Sequence, residues 1–298
     1  MATVFNDKIY GQTAFNALRD FLTPLSAFST DITNQVRGEG DAVIVPLFGA
    51  IATTTFTQST TVMEQSGGLI SAITVTLDKR KITPMDLTHQ QLAESSNAGR
   101  FDQYAFQLGK SMAETVLADV WSLILTTNFG TAIITTASAN YDRVELVAAR
   151  KALRAAGARG NYTFLGNLDI EAALLSDTDI TLALNRGDSM AIKEGNLGRL
   201  MGMDILASDV LPLNSISLTG FACGQDAIAF ASRNLGQYLP DEDYAAIEPL
   251  MDEETGLSAL YTRHWSRAQG KWFCNLHMLY GYSVGVSSAL KVFTTPTT

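Results

Sequence analysis

Residues Ala98 to Thr127 carry a pattern that a long helix satisfies and a strand does not. Phe101, Ala105, Leu108, Met112, Val116 and Val120 recur at helical spacing on one face, which Leu117, Trp121 and Ile124 widen. Asp102, Gln103, Gln107, Lys110, Ser111, Glu114 and Asp119 occupy the other face. At about 1.5 Å per residue this is a rod roughly 40 Å long. An apolar stripe of that length has to be buried against another layer.

Upstream, from Asp41, the period changes to two. Val43, Val45 and Leu47 alternate with Ala42, Ile44 and Pro46, and later Ile73, Val75 and Leu77 alternate with Ala72, Thr74, Thr76 and Asp78. The segment between them includes TTTFTQSTTVMEQSGG, rich in Thr and Ser, with Phe56 and Met63 as its largest apolar side chains. This predicts a long two-stranded projection rather than a tight hairpin. Two strands alone are marginal in water, so the projection should lie on another surface. The first forty residues scatter Phe5, Ile9, Tyr10, Phe15, Leu18, Phe21, Leu22, Leu25 and Phe28 among polar residues without a sustained period. They are expected to bury those side chains on the body of the protein or on a neighbouring subunit.

A second helix is expected from Asp142, where Glu145 three residues on completes a capping box, to Gly157. After Gly160 strand-like and helix-like pieces alternate, among them YTFLGN, LDIEAALL, GRLMGMDILASDVLP, SISLTGFACG and QDAIAFAS. The last third, with GLSALYTRHW and KWFCNLHMLYGYSVGV, reads as strands. No repeat or linker interrupts the 298 residues, whose 46% apolar content can fill a sizeable core. The fold class is α+β with non-local strand pairing. No run of about twenty apolar residues and no basic start with an apolar run is present, which leads to an expectation of a soluble protein made in the cytosol, with no membrane partner. Two distant cysteines, Cys223 and Cys274, suit buried free thiols in a reducing compartment. With 21 basic and 30 acidic residues the net charge is −9, which disfavours a dedicated DNA-binding module.

Chemistry-bearing constellations are sparse. The histidines are His89, His264 and His277, and Cys274 with His277 forms a C-x-x-H step on an expected strand. Tetrahedral zinc needs about four ligands and no second pair stands nearby, so ordinary packing is the favoured reading. Neither a G-x-S-x-G elbow, nor a Walker loop, nor a G-x-G-x-x-G after a strand occurs. No catalytic, cofactor-binding or metal residue is therefore assigned, and no enzyme activity is expected. The stretch holding Asp241, Glu242, Asp243, Glu248, Asp252, Glu253 and Glu254 lacks the spacing and central glycine of a calcium loop. It reads as a solvated acidic face or, more sharply, as an inter-subunit partner for the basic side of the second helix: Arg143, Arg150, Lys151, Arg154 and Arg159. Lys79, Arg80 and Lys81 close the projection, while Arg263, Arg267 and Lys271 flank a turn near Trp265. Solvated turn residues are the plain account of these, and weak, salt-dependent contact with nucleic acid the sharper one.

The order of these elements resembles the Hong Kong 97-type fold of tailed-phage major capsid proteins. Three passages carry the likeness locally: Gly195-Asn196-Leu197-Gly198-Arg199-Leu200-Met201-Gly202-Met203-Asp204-Ile205-Leu206, with Ser208 and Leu211-Pro212 after it; Phe221 to Ala231, a strand followed by a short helix near Asp226-Ala227-Ile228; and Tyr280 to Gly285 with Ala289 to Phe293, similar to a closing strand pair. In this sequence Gly198 and Gly202 read as turn residues before any ligand role. The resemblance covers nearly the whole chain. It implies an N-terminal arm over 1–40, an extended β-loop over 41–88, a peripheral domain with a spine helix over 89–140, an axial domain over 141–250, and return strands of the peripheral domain over 251–298.

It further implies a shell-forming protein of the virion capsid, assembled in the host cytoplasm as pentamers and hexamers around double-stranded DNA. A separate scaffolding protein, a portal and weak contact with packaged DNA are the other implied partners. Phe56, Met63, Lys79, Arg80, Lys81, Arg150, Arg154, Asp241, Glu242 and Asp243 are the candidates for contact between subunits. On this reading residues 1–88 find their burial on other copies. A cellular nanocompartment shell of the same fold, and less so a soluble α+β enzyme, are the alternatives.

Overall fold

The long helix forms where its apolar spacing put it, but it stops at Trp121. The computed structural model describes residues 7–30, 38–48, 70–88, 98–158, 160–178, 180, 197–211, 217–235 and 244–296. In chain order the elements are α1 (Asp7–Phe21), β1 (Ser29–Thr30), β2 (Ala42–Phe48), β3 (Ile70–Thr76), β4 (Lys79–Thr88), α2 (Ala98–Trp121), α3 (Thr126–Phe129) and α4 (Arg143–Ala155). There follow β5 (Tyr162–Gly166), α5 (Leu168–Ser176), β6 (Arg199–Leu200), β7 (Met203–Ala207), β8 (Leu218–Cys223), β9 (Ile228–Arg233), β10 (Ala246–Met251), β11 (Ser258–Ser266), β12 (Lys271–Val284) and β13 (Leu290–Thr294). At the end of α2 the amides of Leu123 and Ile124 donate to carbonyls three residues back, and Leu125 is extended, which separates α3 from it.

A six-stranded sheet lies under α2, in the order β1-β9-β12-β11-β10, with β4 also paired to β12. Leu279 and Tyr280 of β12 pair with Arg80 and Lys79 of β4 and also with Arg233 and Ser232 of β9. The strand β4 therefore runs along the opposite edge of β12 from β9. Period two gives β12 two buried faces. Cys274, Leu276, Met278 and Tyr280 join the core built with Ala105, Leu108, Met112, Val116 and Val120 of α2. Leu279 faces the other way, in a cluster with Leu260 of β11 and with Val43, Val45, Val75 and Leu77.

That second cluster corrects one expectation. The antiparallel pair β2 and β3 forms in the anticipated register, with Val43 opposite Val75 and Val45 opposite Ile73. Its inward valines are buried on the subunit's own β9, β11 and β12, while Ile44, on the alternate face, is 64% exposed. The amino-terminal segment likewise packs at home. Helix α1 buries Tyr10, Gly11, Ala14, Phe15, Ala17 and Leu18 against α2 and β11. Half of that face is small, and a reading that followed only large apolar residues lost its period. The crossing of α1 over α2 needs the small residues: a Cβ at Gly109 would come 2.1 Å from the Ala14 carbonyl oxygen and 2.8 Å from the Leu18 amide. So the described part of residues 1–88 does not wait for another copy to be buried.

A five-stranded sheet, ordered β13-β8-β5-β7-β6, makes the second layer system. The helix α4 starts at the expected cap: the Val144 amide donates to Asp142 Oδ1 at 2.6 Å and the Asp142 amide to Glu145 Oε2 at 3.2 Å. It buries Leu146, Ala149 and Leu153 with Ile170 and Leu174 of α5, Phe164 of β5 and Phe293 of β13. Strands β6 and β7 are joined by Met201 (φ 50) and Gly202 (φ 76), the two left-handed residues of a tight hairpin, so Gly202 does turn work as expected. Phe28 and Phe221 of β8 stack, and Trp121 of α2 meets both edge to face, with ring centroids 5.1 to 6.0 Å apart, where the two sheets meet.

Two sequence expectations are corrected here. The short helix expected near Asp226 is a single 3-10 turn, Gln225–Ala227, and the helix-like reading of the residues after it is corrected, because Ile228 opens β9. An apolar run of that length, buried on both faces, has no period to tell strand from helix. The closing strands are not a pair either: β13 pairs with β8, and β12 lies in the other sheet. Sheet membership thus cuts across the ranges 141–250 and 251–298, because β9 and β10 join β11 and β12 while β13 joins β5 and β8.

The substitution Gly109→Ala separates the two readings of the amino-terminal segment. Ala raises intrinsic helix stability by about 1 kcal/mol, but the neighbour here is backbone that has to move, at a cost of about 1 to 3 kcal/mol. Denaturant unfolding of the subunit is expected to show a net loss. A net gain would mean that α1 is not seated on α2.

Candidate assembly interface

The chemistry of the described residues is dominated by burial rather than by reactive groups. Cys274 and His277 sit three apart on β12, so they point to opposite faces and cannot share an ion. Cys274 lies beside Tyr261 and Tyr10, and burial pushes its thiol up to about 11. His277 meets Thr262 on the far face, with Thr262 Oγ1 and His277 Nε2 2.8 Å apart. Burial, aided by Arg80 and His264, pushes its imidazole down to about 4. Cys223 is buried in β8, and burial raises its thiol pKa. Both cysteines are free. Among the described residues no three His, Cys, Asp or Glu side chains gather to hold a metal; His89 lies outside them.

The basic groups divide into paired and unpaired sets. Lys79, Arg80 and Lys81 open β4 and run along β12. Lys81 Nζ is 3.0 Å from Asp119 of α2, whose carboxylate also accepts from the Tyr280 hydroxyl at 2.6 Å. Lys79 lies 3.5 Å from Asp78, and Arg80 is exposed. At the other end of β4, Lys271 donates to Asp86 and holds that carboxyl below the usual range. Arg263 is no solvated turn residue: its Nε is 2.9 Å from Asp7 at the start of α1, and its guanidinium lies 4.8 Å from the centre of the Trp272 ring. Burial nevertheless lifts the Asp7 carboxyl, against the pull of Arg263. This latch between α1 and the sheet was hidden from sequence because its partners lie more than 250 positions apart in the chain.

Arg150 and Arg154 stand on α4, apart from Lys79, Arg80 and Lys81 on β4. The guanidinium of Arg150 lies over Gly202, and Arg154 is exposed. Phe56, Met63, Asp241, Glu242 and Asp243 lie outside the described residues. Of the remaining acidic stretch, Glu248 is on β10, Asp252 accepts from Thr255 Oγ1 at 2.7 Å, and Glu253 and Glu254 are exposed. The same α4 face also exposes Val144 and Val147, which a reading by charge alone passes over.

A family model described as phage capsid protein matches residues 72–257, more than half of the chain. Among solved structures the chain is similar to the capsid of an empty GTA particle, at 14% identity and TM-score 0.57, over 93% of this chain and 90% of that one. It is similar to the capsid of Ralstonia phage GP4 at 12% identity and TM-score 0.55, over 92% and 91%. A structure from Mycobacterium phage Che8 aligns at 17% identity and TM-score 0.50, over 85% and 84%. No curated protein matches the chain. At these identities the structural likeness speaks for the fold, the Hong Kong 97-type expected from the order of elements.

The His277 pocket yields a pH test. Above about pH 6.5 the imidazole is neutral folded or unfolded; below it the unfolded chain takes up a proton that the folded one refuses until about pH 4. Stability is therefore lost as pH falls through that window, by about 2 to 3 kcal/mol from this group. Urea unfolding of His277→Gln beside the parent should show the difference between them shifting in the variant's favour by that amount on acidification. A constant difference would mean that His277 is not buried neutral.

Proposed function

This chain belongs to the phage capsid protein family, and from that premise we propose that it is the major capsid protein of a tailed phage, closing in many copies into an icosahedral shell around double-stranded DNA. The observation that carries the reading is the family match, which spans β3, β4, α2, α4 and both sheets as far as β10. The protein is a structural one. Physically it supplies a stiff plate: one long helix over a sheet whose central strand is buried on both faces. A packed layer of this kind resists bending and transmits strain to its rim, as a wall element has to do.

Within this reading residues 1–40 serve as the N-terminal arm, 41–88 as the β-loop, 89–140 with 251–298 as the peripheral domain and 141–250 as the axial domain, except that β9 and β10 lie in the sheet of the former and β13 in that of the latter. Pentamers and hexamers are the rings, and Lys79, Arg80, Lys81, Arg150 and Arg154 are contact residues, together with Phe56, Met63, Asp241, Glu242 and Asp243. A separate scaffolding protein and a portal complete the assembly, which takes place in the host cytoplasm. Contact with packaged DNA is weak, in keeping with a net charge of −9. The chain performs no catalysis.

Expression of the chain followed by size-exclusion chromatography and negative-stain microscopy tests the reading. Closed shells are expected in place of a monomer or dimer, and particles from a lysate should hold double-stranded DNA. Particles filled with protein cargo would instead identify a cellular compartment, and a small oligomer even when the scaffolding protein is co-expressed would end the shell reading.

A further inference from the structure

Two surface patches of opposite charge are left unpartnered by the subunit itself. The first is the outer face of α4. Val144, Val147, Lys151 and Arg154 follow at i, i+3, i+7 and i+10 and so form one stripe, with Arg150 at its edge. The valines are 65% and 49% exposed. Among the described residues the side chains of Arg150, Lys151 and Arg154 have no ion pair or hydrogen bond, and the Arg150 Nε is buried without an acceptor. The accessible part of these side chains is cationic, and a carboxylate on a facing surface is its natural partner.

The second patch is β10 and the turn that follows it. Among the described strands β10 pairs with β11 alone, so none of them covers its outer edge. Pro249 and Met251 stand exposed on one face, and the chain then turns through Glu253 and Glu254, whose carboxylates also lack a partner among the described residues. Each patch thus combines exposed apolar surface with unpaired charge, and the two are complementary in both respects. They belong to different sheets: α4 packs on the five-stranded one, and β10 edges the six-stranded one.

We propose that α4 of one subunit docks on the β10 edge and its turn in the next, setting Val144 and Val147 against Met251 and Pro249, and Arg150, Lys151 and Arg154 against Glu253 and Glu254. The inference rests on the shell reading and names one of its contacts. Because two different surfaces meet, the contact is head-to-tail, and repeated with a constant rotation it closes a ring. It also covers an open strand edge with a helix, a usual protection against unwanted pairing. Exposed ion pairs contribute little singly, so the apolar stripe carries adhesion, while the charges fix register and exclude wrong partners.

A charge exchange tests this. Lys151→Glu with Arg154→Glu, and separately Glu253→Lys with Glu254→Lys, should each lower the yield of shells by about tenfold or more. All four substitutions together should restore it. Reversals that assemble like the parent, or a fourfold variant that rescues nothing, would overturn the contact while leaving the shell reading intact. A parent that forms no shell overturns both. Should a reversal unfold the subunit by circular dichroism, Val147→Cys with Met251→Cys decides the matter: oxidation of assembled particles should give a ladder of linked copies on a non-reducing gel. Monomer alone would refute the contact, since Cys223 and Cys274 are buried and do not contribute.

Discussion

The rest of the subunit depends on β12 being buried from both sides. One face lies under α2 and α1, and the other carries the base of the β2–β3 ribbon. A polar group on a strand enclosed in this way is costly unless bonded: His277 Nε2 meets Thr262, while Asn275 Oδ1 and His277 Nδ1 are buried without a partner among the described residues. Neither cover can lift without exposing a row of large apolar side chains. Helix, sheet and ribbon base therefore stand or fall together, and these described elements bury their apolar faces before the subunit meets another copy.

That completeness changes where assembly draws its free energy. Were the amino-terminal segment and ribbon base ordered only on a neighbour, each contact would carry the entropy of folding them. With α1 latched by Asp7 and Arg263 and tightened against Gly109, that cost falls on folding instead. Contacts between copies can then be modest and numerous. Modest contacts break and re-form, which lets a growing wall discard a misplaced unit before it is sealed in.

Sequence made the local elements legible. The stripe of α2, the capping box at Asp142, the alternation in β2 and β3 and the aromatic strands β11 and β12 each follow from a period or a side chain that the backbone requires. What stayed hidden involved small residues or distant partners. The contact face of α1 is half made of Gly11, Ala14 and Ala17 and is seated on Gly109, none of which weighs in a search for large apolar side chains. Strand β13 has the composition of any buried strand, and nothing local tells it to pair with β8 rather than β12. At the candidate interface the residue types could be read, since Arg150 and Arg154 are plain in the sequence. That they have no ion pair among the described residues, and lie beside exposed valines, depends on what the rest of the fold leaves uncovered.

The cluster of Phe28, Trp121 and Phe221 sits where the two sheets join. Interlocked rings have a few good packings and poor ones between them, so such a joint behaves as a ratchet more than as a spring. If a closed container asks its units to flex differently at sharp and at flat places, this one would answer in steps. The angle between its halves is then held by the fit of three aromatic side chains.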